Sequence, residues 1–330
     1  MICILGDLHL TSRKDYLLQT CLCFLDWFKD WDKNNKNNTL ILAGDLVDSH
    51  LNGGVVINLI DKLYNYSNFK EIHIVVGNHD KKKVDGYDQL AYEFLKNKDN
   101  VYIYEELTES TIEGLKVLFL PYFLDHIHPM NEFYSNLYKI KKEQYDLLVG
   151  HFADESASFK GSVDCISNLD KLNVKKICLG HIHTRFIHPE RYIGSIYACN
   201  KIQNDPTRSA WYYDDGEWKE ERLPIFNEYI TFSYPNPLPK SNAEVPIYTI
   251  LNCASESLAR RKYGNIYLRK VTIDKEDIGY KKKELDFEFE SIKNIDVNKL
   301  FKEFIDSQNP PLLKEIREEC EEALLKKGVS

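Results

Sequence analysis

Five apolar runs in this chain stop in the same way. "ICILGDLH" (2–9) ends on Gly6, Asp7 and His9, and "TLILAGDLVD" (39–48) ends on Gly44 and Asp45. "IHIVVGNHD" (72–80) closes on Gly77, Asn78, His79 and Asp80. "DLLVGH" (146–151) closes on Gly150 and His151, and "KICLGHIH" (176–183) on Gly180, His181 and His183. Short apolar runs without polar alternation read as strands buried on both faces. Helical stretches are expected at Tyr16–Trp31, Val55–Tyr66, Tyr87–Lys96 and Val163–Leu172, which makes the fold class α/β. Ligands in such folds bind just beyond the carboxyl ends of the strands, and all five endings lie there. Turn chemistry accounts for one Gly-Asp or Gly-Asn, and a single histidine is more often a core residue than a ligand. Five such endings in one register are not explained by turns.

The residue types point to a metal. Asp7/His9 and His181/His183 are i,i+2 pairs, whose side chains project to one side of an extended chain. Carboxylate, amide and imidazole without thiolate suit Mn²⁺, Fe²⁺ or Zn²⁺ better than Ca²⁺ or Mg²⁺ alone. The eight cysteines include no CxxC and read as small core hydrophobes of a reducing compartment, without disulfides or a Zn–Cys site. No apolar run approaches the roughly 20 residues that span a bilayer. "MICILGDLHL" lacks a basic n-region and reads as a first strand rather than a signal peptide. A cytoplasmic protein is expected. The net charge of −8 argues against holding nucleic acid by bulk electrostatics alone. Four local basic clusters stand against it: Lys81–Lys83, Lys139/Lys141/Lys142, Arg260–Lys262 and Lys281–Lys283. Each taken alone is more simply a solvated surface.

In kind and order, the five endings resemble the calcineurin-like metallophosphoesterase superfamily, whose motifs run D-x-H, G-D, G-N-H-D, G-H and G-H-x-H. They stand here as Asp7/His9, Asp45, Asn78/His79/Asp80, His151 and His181/His183. The resemblance implies two mixed β-sheets in a sandwich flanked by helices, an αββα arrangement, with two divalent metal ions at one edge. Carried across position by position, it implies one ion on Asp7, His9 and His183 and the other on Asn78, His151 and His181. Asp45 would bridge the two. Mn²⁺ is the expected metal, with Mg²⁺, Fe²⁺ or Zn²⁺ as substitutes. His79 would orient the phosphate or protonate the leaving oxygen, and Asp80 would support the loop by hydrogen bonds.

The chain after "GHIHTRF" narrows the resemblance. "RYIGSIYACNKIQNDPTRSAWYYDDGEWKEERLPI" (191–225) is similar in order to SbcD-type DNA repair nucleases, phage recombination subunits included: a "YIGS" strand, a segment near "DP-R", then a hairpin. The hairpin turn is expected at Asp215-Gly216. Archaeal and eukaryotic relatives often carry a histidine three positions after the bridging aspartate. Asp48 stands there in this chain, which leaves the balance of exonuclease and endonuclease action open.

The expected organisation is a nuclease domain over 1–232, a small α+β capping module over 233–290 and a helical tail over 291–330. "SYPNPLPKSNAEVP" (233–246) reads as a linker, followed by two strands around the helix "ASESLARRKYG". That module is either a structural appendage or, as the resemblance implies, a cap that holds DNA ends over the metals. In the tail, Val297, Leu300, Phe301, Phe304 and Ile305 form one amphipathic stripe. Leu313, Ile316, Cys320, Ala323 and Leu324 form a second, beyond Pro310-Pro311. The resemblance implies that this helix pair binds an ABC-type (SMC-like) ATPase, in a complex built on a homodimer. The function expected is that of a Mn²⁺-dependent exonuclease/endonuclease subunit of an SbcCD-like complex. The rivals are a small-molecule phosphodiesterase or phosphatase of the same superfamily, and a non-catalytic DNA-end scaffold.

Overall fold

β1 (Ile2–Leu5) sends Ile2 and Ile4 into one cluster and Cys3 and Leu5 into another, and all four are fully buried. This double burial organises the whole molecule. The computed structural model describes residues 1–33, 38–49, 53–84, 87–122, 143–154, 165–166, 169–184, 190–205 and 207–272. After β1 come α1 (Asp15–Lys33), β2 (Thr39–Ala43), α2 (Gly54–Tyr66) and β3 (Glu71–Val75). The hairpin β4 (Lys81–Val84) and β5 (Tyr87–Leu90) leads to β6 (Val101–Tyr104), β7 (Thr108–Ile112) and β8 (Leu115–Leu120). β9 (Tyr145–His151), β10 (Ala153–Asp154), β11 (Cys165–Ile166) and β12 (Val174–Gly180) follow. The chain continues through β13 (Ser209–Asp214), β14 (Glu217–Arg222), β15 (Asn227–Ser233), β16 (Val245–Leu251), α3 (Glu256–Tyr263) and β17 (Tyr267–Val271).

Two mixed sheets make the sandwich. The first runs β14-β13-β1-β2-β3-β6, with β1, β2, β3 and β6 parallel and β13 antiparallel to β1. The second runs β12-β9-β8-β7, parallel except for β7. Ile4, Ile41 and Val75 from one sheet meet Val117, Phe119, Leu147 and Val149 from the other in a buried apolar layer. The outer face of the first sheet is covered by α1 and α2. α2 buries Val56, Leu59, Ile60 and Leu63 at helical spacing, each such side chain contributing about 2 kcal/mol of hydrophobic stabilisation. The outer face of the second sheet is closed by Phe152, Leu169, Leu172 and Tyr192. No α-helix among the described residues lies there, so the fourth layer of an αββα arrangement is not seen within them.

A third sheet, β15-β16-β17, is parallel throughout, with α3 connecting its last two strands. This is the expected strand–helix–strand unit with one strand added. β15 straddles residue 232 and pairs with β16 along its whole length. Tyr229 packs edge-to-face on Tyr16 of α1 at 6.3 Å. The hairpin β13–β14 turns at Asp215 (φ 49°) and Gly216 (φ 87°), the two left-handed positions a tight hairpin demands.

Two expected helices need correction. Tyr87–Lys96 is strand β5 followed by a 3₁₀ turn over Glu93–Asn97. Leu90 and Tyr92 both point inward, a two-residue period, and Ala91 N–H is held by Asp80 O at 2.9 Å. Local spacing suggested a helix and tertiary packing overrode it. The described part of Val163–Leu172 is strand β11 and a 3₁₀ turn over Leu169–Lys171. Residues 273–330 lie outside the described residues, and with them most of the capping module's last stretch and both tail stripes. No helix among the described residues is long and apolar enough to cross a membrane. Cys3, Cys21, Cys23, Cys178, Cys199 and Cys253 are thiols, joined in no disulfide.

Candidate metal centre

β1, β2, β3, β9 and β12 all deliver their polar endings to one edge of the sandwich. They do so with bent backbone rather than extended chain. Asp7 (φ 48°), His9 (φ 43°), Asp45 (φ 47°) and His181 (φ 77°) all occupy the left-handed region. The i,i+2 pairs therefore converge because the chain curls, which corrects the extended geometry expected for them. Left-handed non-glycine residues each cost about 1–3 kcal/mol and collect at functional sites. Gly44 (φ 87°) sits where a Cβ would lie 2.1 Å from His151 Nδ1, so only glycine fits.

One group of donors comprises Asp7, His9, Asp45 and His183, whose candidate ligand atoms lie within 4.8 Å of one another. His9 Nε2 and His183 Nε2 face each other at 2.9 Å, and Asp45 Oδ2 is 3.4 Å from His9 Nε2. Asp7 Oδ1 accepts the His181 backbone N–H at 2.9 Å. Asp7 Oδ2, His9 Nδ1 and His183 Nδ1 are buried without a hydrogen-bond partner.

The second group is Asn78, His151 and His181. Asn78 Oδ1 is 3.0 Å from both His151 Nε2 and His181 Nδ1, and Asp45 Oδ2 is 3.2 Å from His151 Nε2. His151 donates Nδ1–H to Ala43 O at 2.9 Å, so in the neutral ring Nε2 turns a lone pair toward two oxygen acceptors, and in the protonated ring it donates to Asp45. Acceptors facing acceptors require a proton or a cation between them. The seven sequence-predicted ligands are all within these two groups, and Asp45 touches both. Orphaned buried atoms, opposed acceptors and a hard-to-borderline donor set fit divalent cations.

Burial and the mutual proximity of carboxylates and imidazoles set the electrostatics of the cluster. Burial raises Asp7 above the usual carboxylate range, against the pull of His151 and His183. Burial works against ionised Asp45 too, but His151, hydrogen-bonded to it, and His9 outweigh burial and hold its carboxyl well below the usual range. Burial, then the neighbouring His183 ring, keeps His9 far below its ordinary value. Burial disfavours charge on His151, yet Asp45 and Asp7 push that imidazole up to about 9.

His79 is tied in differently. Its backbone N–H donates to Asp45 Oδ1 at 2.9 Å, and its ring Nδ1–H to Asp48 O at 2.6 Å. Nε2 is left for other chemistry. The ring meets His9 edge-on at 5.0 Å, and His9, Asp48 and His79 also bring donor atoms within 4.8 Å of one another. Asp80 accepts Gly77 N–H at 2.8 Å and Val47 N–H at 3.2 Å, the supporting contacts expected of it. Burial, with Asp45 adding to it, pushes Asp80 up to about 7.

Three contributors escaped the sequence reading. Tyr122, just past the end of β8, stacks on His181 at 6.0 Å. Its signal was a sixth strand end at the same edge, missed because it carries no glycine. Tyr197 donates its hydroxyl to His9 O, and Cys199 approaches His9 and His183. Both lie in an irregular segment whose spacing carries no sign of the site.

Residues 1–185, more than half of the chain, match the calcineurin-like phosphoesterase family. The chain belongs to that family of metal-dependent phosphoester hydrolases. No curated protein matches its sequence. Among solved structures it is similar to an archaeal phosphodiesterase, with 18% identity over 67% of this chain and 99% of that one, at a TM-score of 0.35. It is also similar to a protein of unknown function from Aquifex aeolicus, with 20% identity over 51% and 88% of the two chains, at 0.29. A phosphopantetheinyl hydrolase from Mycobacterium tuberculosis gives 15% identity over 67% and 87%, at 0.32. Scores this low add nothing to the family assignment.

Proposed function

We propose that this chain is a Mn²⁺-dependent DNA exonuclease/endonuclease, the hydrolytic subunit of an SbcCD-like complex that processes DNA ends. The observation that carries this reading is how the segment beyond residue 185 braces the centre. Arg208 of "DPTR" is buried and donates to Ser195 Oγ of "YIGS" at 2.7 Å. Ser195 N–H donates to His183 O at 3.1 Å, and Tyr197 to His9 O. The stretch that resembles the nucleases is thus part of the framework of two proposed ligands rather than a decoration.

In this reading Asp7, His9 and His183 hold one cation, Asn78, His151 and His181 hold another, and Asp45 serves both. Divalent cations held by these residues would supply positive charge for the phosphate oxygens and would lower the pKa of water so that hydroxide is available as nucleophile at neutral pH. His79, fixed by Asp48 O, presents Nε2 to the phosphate or the leaving oxygen. Asp80 holds the Gly77–His79 loop in place. The β15–β17 module steadies DNA, and the segment 291–330, with its two amphipathic stripes in sequence, binds the ABC-type ATPase of a homodimeric complex. End-labelled duplex and hairpin DNA, incubated with the purified chain in Mn²⁺ with and without the ATPase, should be cut. The rival reading, a phosphodiesterase of small molecules, is favoured by the net charge of −8. Turnover of a chromogenic phosphodiester with no cleavage of either DNA would establish that rival instead.

A further inference from the structure

The His9–His183 pair has two kinds of neighbour. On one side stand the carboxylates of Asp7 and Asp45, and together these four offer donor atoms within 4.8 Å of one another. Cys199 also brings its sulfur within 4.8 Å of donor atoms on both His9 and His183. His9 is 1% exposed, and its Nδ1, like that of His183, is buried without a hydrogen-bond partner. Cys199 is held firmly at that distance. Its backbone N–H donates to Gln203 Oε1 at 3.2 Å, and its carbonyl accepts the Tyr229 hydroxyl at 3.2 Å. It lies four residues after Ser195, whose N–H is bonded to His183 O.

We propose that His9, His183 and Cys199 form a three-donor site for a soft or borderline cation such as Zn²⁺ or Cd²⁺, sharing its histidines with the carboxylate centre. Thiolate strengthens binding of Zn²⁺ and Cd²⁺ and does little for Mn²⁺, which prefers oxygen. One histidine pair therefore serves a hard cation through Asp7 and Asp45 and a softer one through Cys199. Coordination releases the thiol proton to solvent as the sulfur–metal bond forms. This makes Cys199 a determinant of which metal the enzyme carries. It revises the expectation that none of the cysteines faces a metal. The inference rests on the placement of a cation between His9 and His183, and not on DNA as substrate.

Co²⁺ titration of the metal-free full-length chain tests it by absorption spectroscopy. Bound Co²⁺ gives visible ligand-field bands whatever its donors, and a near-ultraviolet charge-transfer band only when sulfur is among them. Wild type should show both. Cys199→Ser and Cys199→Ala should keep the visible bands and lose the near-ultraviolet one, whereas Cys23→Ser should keep both. In competition titrations Cys199→Ser should weaken Zn²⁺ binding by about tenfold or more and leave Mn²⁺ binding within about twofold. Thermal melting of each variant checks that it is folded. Visible bands without charge transfer in wild type would overturn the role of Cys199. Absence of visible bands would overturn the histidine pair as well. Equal loss of Zn²⁺ and Mn²⁺ affinity in both variants would mean that Cys199 acts through packing, and would also overturn the proposal.

Discussion

The metal edge of the sandwich and the β15–β17 module are both built from parallel strands and short connections, yet they obey local rules to different degrees. At the edge, four non-glycine residues take left-handed backbone and three buried polar atoms lack partners. In the module, Asn252 (φ 56°) is the one non-glycine residue in that region of backbone among the described residues, and asparagine tolerates it. No buried side-chain polar atom of the described module lacks a partner. α3 there begins at a Ser255 cap and ends at Gly264, as a helix designed for stability would. Consistency at every level marks scaffold, and violations supported by their surroundings mark chemistry. The difference predicts that equally small changes will act on turnover at one place and on stability at the other.

The largest effect is expected from Asp45→Asn. The amide can still accept the His79 N–H but has no charge to share between two donor groups. Turnover of a phosphodiester in Mn²⁺ should fall by about 10³-fold or more, while the melting temperature holds. Activity within tenfold of wild type would break the assignment of Asp45 to both groups. His79→Ala should cost about 10²-fold in turnover with metal content unchanged by calorimetry. If metal binding collapses as well, the His9, Asp48 and His79 cluster is the true ligand set and His79 is no acid.

The contrast between the two regions also explains what was legible in the sequence. Glycine followed by Asp, Asn or His at a strand end is a local signal, and it located all seven proposed ligands together with His79 and Asp80. How those residues converge was not local. Asp7 and His9 curl because Asp7 N–H and His9 N–H are captured by Gly44 O and Asp45 O of the next strand, contacts no spacing rule contains. Tyr122, Tyr197 and Cys199 reach the site from loops far along the chain for the same reason. In the module, the strand–helix–strand pattern was readable because its periodicities agree with its packing. Over Tyr87–Lys96 they did not agree, and packing prevailed.

Gly77→Ala sharpens the comparison by adding one methyl group. A Cβ at Gly77 would fall 2.2 Å from Asp45 Oδ1 and 2.3 Å from Asp45 N, so the proposed shared carboxylate must move. Stability should drop by about 1–3 kcal/mol, and metal affinity should fall with it. Gly264→Ala, where φ is 76° and ψ −150° and nothing lies within 4 Å, carries only the backbone penalty of about 1–3 kcal/mol. Its metal affinity should match wild type. Equal loss of metal affinity in the two alanine variants would mean that Gly77 acts through global stability alone.

The smallest effect is expected from Ser255→Ala. Ser255 Oγ accepts the Leu258 N–H at 3.1 Å and caps α3, whose buried Ala259 seats the helix against Tyr248, Ile250 and Cys253. An alanine leaves that N–H to water and costs about 1 kcal/mol. The residue touches neither donor group, so turnover of a chromogenic phosphodiester in Mn²⁺ should stay within experimental error while the denaturation midpoint falls. A fall in turnover under conditions where the variant is fully folded would mean that the order of α3 reaches the metal edge. The module would then belong to the catalytic machinery rather than to the scaffold beside it.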